Sequence, residues 1–209
     1  MATRTESLWR ATHKVGGFAP LDRNLDVDIA IVGGGISGLT AALILSRAGK
    51  RVAVFERDTI GSGETGNTTS HLTEAVDGRY QKLIRDFGEN GARRVAQSSR
   101  DAIEWMATLV REAGIACGFA RVPGYLYSER EKDVAWLADE LDAARRSGCS
   151  VEWTDQAPLP FKNLGGVRWD NQAQLHATAY LDGMLREAIS QGLQVYENTR
   201  VLGVHEDAP

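Results

Sequence analysis

Between Asp28 and Glu56 the chain changes its hydrophobic period twice. Asp28 to Val32 is a short β-branched run closed by glycine, the pattern of a buried strand. From Ile36 to Ala48, Leu39, Leu43, Ile44 and Ala48 recur at helical spacing, and Gly49 stops the helix. Residues 51–56, RVAVFE, alternate β-branched and aromatic side chains and make a second strand. Strand, turn, helix and strand within 29 residues have the size of one βαβ unit.

Beyond it the pattern breaks. Residues 58–73, DTIGSGETGNTTSHLT, are rich in Gly, Thr and Ser and carry no apolar period, so they read as a long polar loop suited to binding. Two helices are expected next, near 80–87 and 91–113, the longer with Ala92, Val95, Ala96, Ile103, Met106, Leu109 and Val110 on one face. A strand interrupted by a Pro-Gly bend is expected over 118–128, and an amphipathic helix over 130–147. A strand and turn follow in GGVRWDNQAQLH, then a helix over 177–191 closed by Gly192, and one or two strands in LQVYENTRVLGVHED. The fold class is α/β. A Rossmann-like portion spans 28–115 after a lead-in over 1–27 that reads as extended and partly polar. Part of an α+β domain spans 116–170, and residues 171–209 return to the first portion.

Composition narrows the partners. With 24 Lys and Arg against 28 Asp and Glu, the net charge is −4, which offers no basic surface to nucleic acid. Cys117 and Cys149 have neither CxxC nor metal spacing and read as two reduced structural thiols. The four histidines show no metal spacing either. No apolar run reaches the length of a membrane span, and the N-terminus lacks a signal-peptide core, so a cytoplasmic protein is expected.

The glycines at the first turn need a physical reason, because glycine is costly in regular structure. Gly33-x-Gly35-x-x-Gly38 lies between a strand and a helix, with Glu56 ending the next strand 18 residues past Gly38. Gly33 permits the tight turn, Gly35 lets a pyrophosphate approach the backbone, and Gly38 allows close helix–strand packing. The phosphates would rest on amides at the helix start, Ile36 and Ser37 among them. Glu56 would accept from a ribose hydroxyl pair, which disfavours a 2′-phosphate and so NADP. This pattern fits a dinucleotide and does not by itself separate FAD from NAD.

The stretch VDIAIVGGGISGLTAALILSRAGKRVAVFERDTIGSGETGNTTSHLT resembles the D-amino acid oxidase-like (DAO) superfamily of FAD-dependent oxidoreductases, which includes glycine oxidase and sarcosine oxidase. RVPGYLY is similar to that family's substrate-domain strand, and QLHATAYLDGMLREAISQGLQVYENTRVLGV to the helix and strand returning to the FAD domain. With SLWRATH the resemblance covers nearly the whole chain. The GETG-x-TT-x-HLT loop resembles a bacterial subgroup that often carries a C-terminal Rieske domain.

That resemblance implies FAD as cofactor, with Gly33, Gly35, Ser37 and Gly38 at the pyrophosphate and Glu56 and Arg57 at the adenosine end. It implies a second flavin-contacting loop at Thr68, Thr69, Ser70 and His71, and an adenine contact from the backbone of Val201. Some relatives attach FAD covalently through a histidine in a comparable loop; His71 is the candidate for that bond or for a noncovalent contact. The activity implied is oxidation of a C–N bond in a small amine or amino acid, by hydride transfer to flavin. The imine would hydrolyse, and the electrons would pass to oxygen or to a downstream iron–sulfur centre. No catalytic residue is identifiable. His176 is expected to pack or face solvent. Tyr125 and Tyr127 are read with one facing the core and the other open to substrate. The resemblance implies a domain nearly twice this long, so the chain reads as an N-terminal portion, and any Rieske centre would lie outside it. An NAD-dependent dehydrogenase and an inactive flavin-binding fragment are the alternatives.

Overall fold

The computed structural model describes residues 5–206. They form two compact units. The first contains residues up to Ser70, Leu109–Gly118 and the chain from Leu175 onward; the second contains His71–Thr108 and Phe119–Gln174. The division at 70/71 differs from the one expected at 115/116, because residues 71–108 pack among the antiparallel strands of the second unit.

In the first unit, strands β1 (Ile29–Val32), β2 (Val52–Phe55) and β7 (Gln194–Tyr196) make a parallel sheet in the order β1-β2-β7. Ile29 pairs with Val52 and Val32 with Phe55, so the two strands end level. Helix α2 (Ile36–Arg47) joins β1 to β2. Leu39, Ala42 and Leu43 of α2 are buried, as are Leu181, Met184 and Leu185 of α5 (Ala177–Ser190). Small and branched residues at helical spacing produce this packing, and the all-apolar β2 fits a strand covered on both faces.

The lead-in is anchored, in contrast to the extended segment expected. Residues Leu8–Thr12 form a short helix, α1, capped by Ser7. Trp9 Nε1 donates to the Thr68 carbonyl at 2.7 Å, and Thr178 Oγ1 donates to the Trp9 carbonyl at 2.7 Å. The Glu197 side chain, 2% exposed, accepts from the amides of Gly17 (2.7 Å), Phe18 (2.8 Å) and Ile60 (2.7 Å). A buried carboxylate holding three N–H groups satisfies donors that would otherwise be orphaned.

In the second unit, β6 (Gly166–Gln174) is the central strand, flanked antiparallel by β3 (His71–Leu72), β4 (Ala120–Tyr127) and β5 (Val151–Thr154). The Pro-Gly step of β4 shifts the register between Val122 and Gly124 without ending the strand. Tyr80, Ala92, Ala96, Leu141, Cys149 and Trp169 are among its core residues. The α3 segment Tyr80–Glu112 is broken at Gly88 (φ 71°), which reproduces the two expected helices. Helix α4 (Val134–Arg146) follows a 3-10 turn over Glu131–Asp133. After β7 no further strand forms among the described residues; Leu202 and Val204 are 92% and 85% exposed.

Candidate dinucleotide-binding groove

The groove of the first unit lies at the carboxyl ends of β1 and β2, where open α/β sheets receive ligands. Its volume is about 460 Å³, and Gly33, Gly35, Glu56, Arg57, Thr65 and Val201 are among the residues lining it. Gly33 takes a φ of 108°, a conformation that a side chain would strain. A Cβ placed on Gly33 would meet nothing within 4 Å, so the space above the turn is open. A Cβ on Gly38 would overlap the Gly33 carbonyl oxygen, which accounts for glycine where the helix crosses the turn.

No side chain at Gly35 caps α2. The cap comes instead from Thr65, whose Oγ1 accepts from the Ile36 amide at 3.1 Å. The amides of Ser37 and Gly38 belong to the same first turn, where no intrahelical carbonyl is available to them and where an anion is favoured. Glu56 Oε2 accepts from the Gly34 amide at 2.7 Å, and Oε1 accepts from the Asp58 amide at 2.8 Å. Each carboxylate oxygen retains acceptor capacity toward a hydroxyl. The Arg57 side chain is exposed and paired with Asp58 at 2.9 Å. Glycine space, first-turn amides and a carboxylate at the strand end are together the donor and acceptor set that a dinucleotide's pyrophosphate and ribose require, so these residues fit FAD.

The other expected residues fall elsewhere. Thr68, Thr69 and Ser70 do not line the groove. Thr68 Oγ1 accepts from the Ser70 amide at 3.1 Å. Ser70 is 4% exposed at φ 62°, and its Oγ donates to the Leu175 carbonyl at 2.7 Å. His71 opens the second unit and lines a separate cavity there. Tyr125 and Tyr127 both line that cavity, as does Leu126 between them; the expectation of opposed faces fails on strand geometry, because residues two apart on β4 share a face. His176 caps α5, its Nδ1 accepting from the Ala179 amide at 3.3 Å, and packs edge-on against Trp9 at 5.0 Å between ring centroids. Cys117 and Cys149 are both buried and form no disulfide with each other. Among the described residues no cluster of three His, Cys, Asp or Glu side chains could hold a metal, and no helix is long and apolar enough to cross a membrane.

The family model of the FAD dependent oxidoreductases, DAO, matches residues 28–209. The chain belongs to this family. As a member it is 31% identical over 199 residues to the putative Rieske 2Fe-2S iron-sulfur protein YhfW of Bacillus subtilis, covering 95% of this chain and 39% of that protein. It is 27% identical over 149 residues to the gamma-glutamylputrescine oxidoreductase of Escherichia coli, covering 71% and 35%. The glycine oxidase structure from Geobacillus kaustophilus superposes with a TM-score of 0.68 at 23% identity, covering 87% of this chain and 49% of that one. That likeness establishes the fold. In all three comparisons the chain spans less than half of the relative. The α/β fold and the FAD cofactor class expected from the sequence are those of the family.

Proposed function

We propose that the groove of the first unit holds the ADP portion of FAD and that the protein oxidises a C–N bond of a small amine or amino acid. The observation carrying this reading is the convergence of Gly33, Gly35, Glu56, Arg57 and Val201 on one groove beside the N-terminus of α2. The first-turn amides of Ser37 and Gly38 orient the pyrophosphate beside Ile36, whose own N–H is held by Thr65, while Glu56 accepts from the ribose and Arg57 and Val201 border the adenine. When bound, FAD supplies the two-electron acceptor, and the protein supplies position and electrostatics. Thr68, Thr69 and Ser70 act through the backbone course of the loop, with the Ser70 hydroxyl turned inward to the Leu175 carbonyl. We assign His71 no covalent bond to the cofactor. The amine or amino-acid substrate is supported by the names of the relatives, glycine oxidase and gamma-glutamylputrescine oxidoreductase. A reducing, cytoplasmic setting is supported by two buried cysteines that form no disulfide with each other.

The test is the visible spectrum of the purified chain supplied with FAD, taken before and after acid precipitation. Flavin absorbance that follows the folded chain through gel filtration, and is released by acid, is the expected outcome. Colour remaining with the precipitate would restore a covalent bond. A folded chain that never retains FAD would overturn the assignment of the groove.

A further inference from the structure

We infer that the lead-in is a strap for the loop beside the glycine turn, with Ser7 and Trp9 as positioning residues that set how tightly the groove holds FAD. That consequence rests on the proposed hold on FAD. All of the residues involved lie in the first unit.

The segment from Ile60 to Thr68 is held by two sets of contacts. The first set ties it to the glycine turn and the start of α2: the Gly61 amide donates to the Gly34 carbonyl at 3.0 Å, and Thr65 Oγ1 accepts from the Ile36 amide at 3.1 Å. The second set comes from the lead-in. Ser7 Oγ donates to the Gly66 carbonyl, and Trp9 Nε1 donates to the Thr68 carbonyl at 2.7 Å. The Arg10 stem comes within 3.0 Å of where a Cβ on Gly66 would stand, and Val15 Cγ1 within 3.6 Å of one on Gly61. Gly66, next to Thr65 in the chain, is therefore gripped by Ser7 and Arg10.

The segment has little means of holding itself. Ile60 is its one apolar side chain, and it contains three glycines, whose backbones lose the most freedom on ordering. Within it, the Gly66 amide and Asn67 Nδ2 both reach the Gly63 carbonyl, at 3.2 and 2.9 Å. The strap is itself anchored on α5 and its cap. Thr178 Oγ1 donates to the Trp9 carbonyl at 2.7 Å, Thr12 Oγ1 lies 2.9 Å from His176 Nε2, and His13 Nε2 lies 3.0 Å from Asp182 Oδ2. Helix α5 packs against α2, whose first turn is the one that Thr65 caps. The path from α2 through α5, α1 and the loop thus closes on the amides that face the pyrophosphate. A loop ordered before its ligand arrives loses less entropy on binding, so the ligand is held more tightly.

The test compares the parent chain with Ser7→Ala/Trp9→Phe, which removes both donors to the loop and keeps an aromatic ring beside His176. Leu185→Val, a core change in α5 outside the strap, is the control. Hydrogen exchange without cofactor reads the loop, and fluorescence titration reads FAD. In the double variant the Ile36 and Gly61 amides should exchange about tenfold faster, while the Leu39 amide, bonded to the Gly35 carbonyl at 3.0 Å, should not change. FAD affinity should fall about tenfold, which two neutral hydrogen bonds can supply. Leu185→Val should lower the urea midpoint and leave both readings within about twofold of the parent. In a Thr65→Val background the double substitution should weaken FAD by less than about twofold more, since both changes act on one contact. Should the double variant not fold, Trp9→Phe alone carries the same readings at about threefold. Unchanged exchange, equal acceleration at Leu39, FAD affinity within about twofold of the parent, or full additivity with Thr65→Val overturns the inference. A folded parent that binds no FAD while the Ile36 and Gly61 amides respond removes the flavin reading alone; FAD binding by the parent with amides that do not respond removes the strap alone.

Discussion

Glu56 Oε2 accepts the Gly34 amide at 2.7 Å, so the carboxylate expected at a ribose also holds the glycine turn in place. Its other oxygen fixes the Asp58 amide at 2.8 Å. Loop geometry and the proposed ribose contact therefore share one side chain. Glu56→Gln keeps the size, removes the charge and turns an N–H₂ group toward one of two backbone donors. FAD affinity should fall by about 10- to 100-fold, the scale of one or two charge-assisted hydrogen bonds. Fluorescence titration of FAD measures it, and a change within about twofold would contradict the role.

Gly35 and Gly38 separate ligand space from packing space. A Cβ on Gly35 would meet only Thr65 Oγ1, at 3.3 Å, whereas one on Gly38 would overlap the Gly33 carbonyl oxygen. Gly35→Ala should leave the denaturation midpoint nearly unchanged while weakening FAD. Gly38→Ala should cost about 1–3 kcal/mol by overpacking α2 against the turn, and weaken FAD through that displacement. Urea unfolding and FAD titration of both variants check the split.

Glu197 joins the lead-in to the loop after β2 through the amides of Gly17, Phe18 and Ile60. Glu197→Gln leaves one oxygen for three donors and should cost about 2–3 kcal/mol. Limited proteolysis should then cut near residues 14–20 faster than in the parent chain. An unchanged cleavage pattern would show that the lead-in is held by α1 alone.

Burial pushes the Cys149 thiol up to about 11, and also holds the Tyr80 phenol above its usual range. The native state therefore keeps the Cys149 proton to higher pH than the unfolded chain does. This contribution is fully present below about pH 9 and is lost as pH rises through about 11. Urea midpoints should decline across that window, and Cys149→Ala should flatten the decline while lowering the midpoint at neutral pH. Thiol reagents should label Cys149 slowly at pH 8 in the folded chain and rapidly in urea.

Much of the groove was legible because its chemistry is local. The change of period from β1 to α2 to β2 and the spacing of Gly33, Gly35, Gly38 and Glu56 are properties of one continuous stretch. Thr65 was not legible: it is one of several threonines in a loop without period, and only the folded path brings its hydroxyl to Ile36. Glu197 is an acid directly after β7 with no motif around it, and only the folded path brings it against the backbone at Gly16 and Gly17. The Tyr125 and Tyr127 pair was readable and was misread, since a period of two places them together. The left-handed backbone at Arg79 left no trace in composition, because arginine does not announce that conformation. The last apolar stretch, with Leu202 and Val204, shows that strand propensity alone does not make a strand.

The central claim is that the first unit grips the ADP end of FAD. Competition at equilibrium tests it most directly: FAD bound to the folded chain is challenged with ADP and, separately, with FMN. The account predicts that ADP displaces FAD and that FMN, which lacks the adenosine, does not. Displacement by FMN with ADP inert would contradict it, and would place the main hold on the flavin ring.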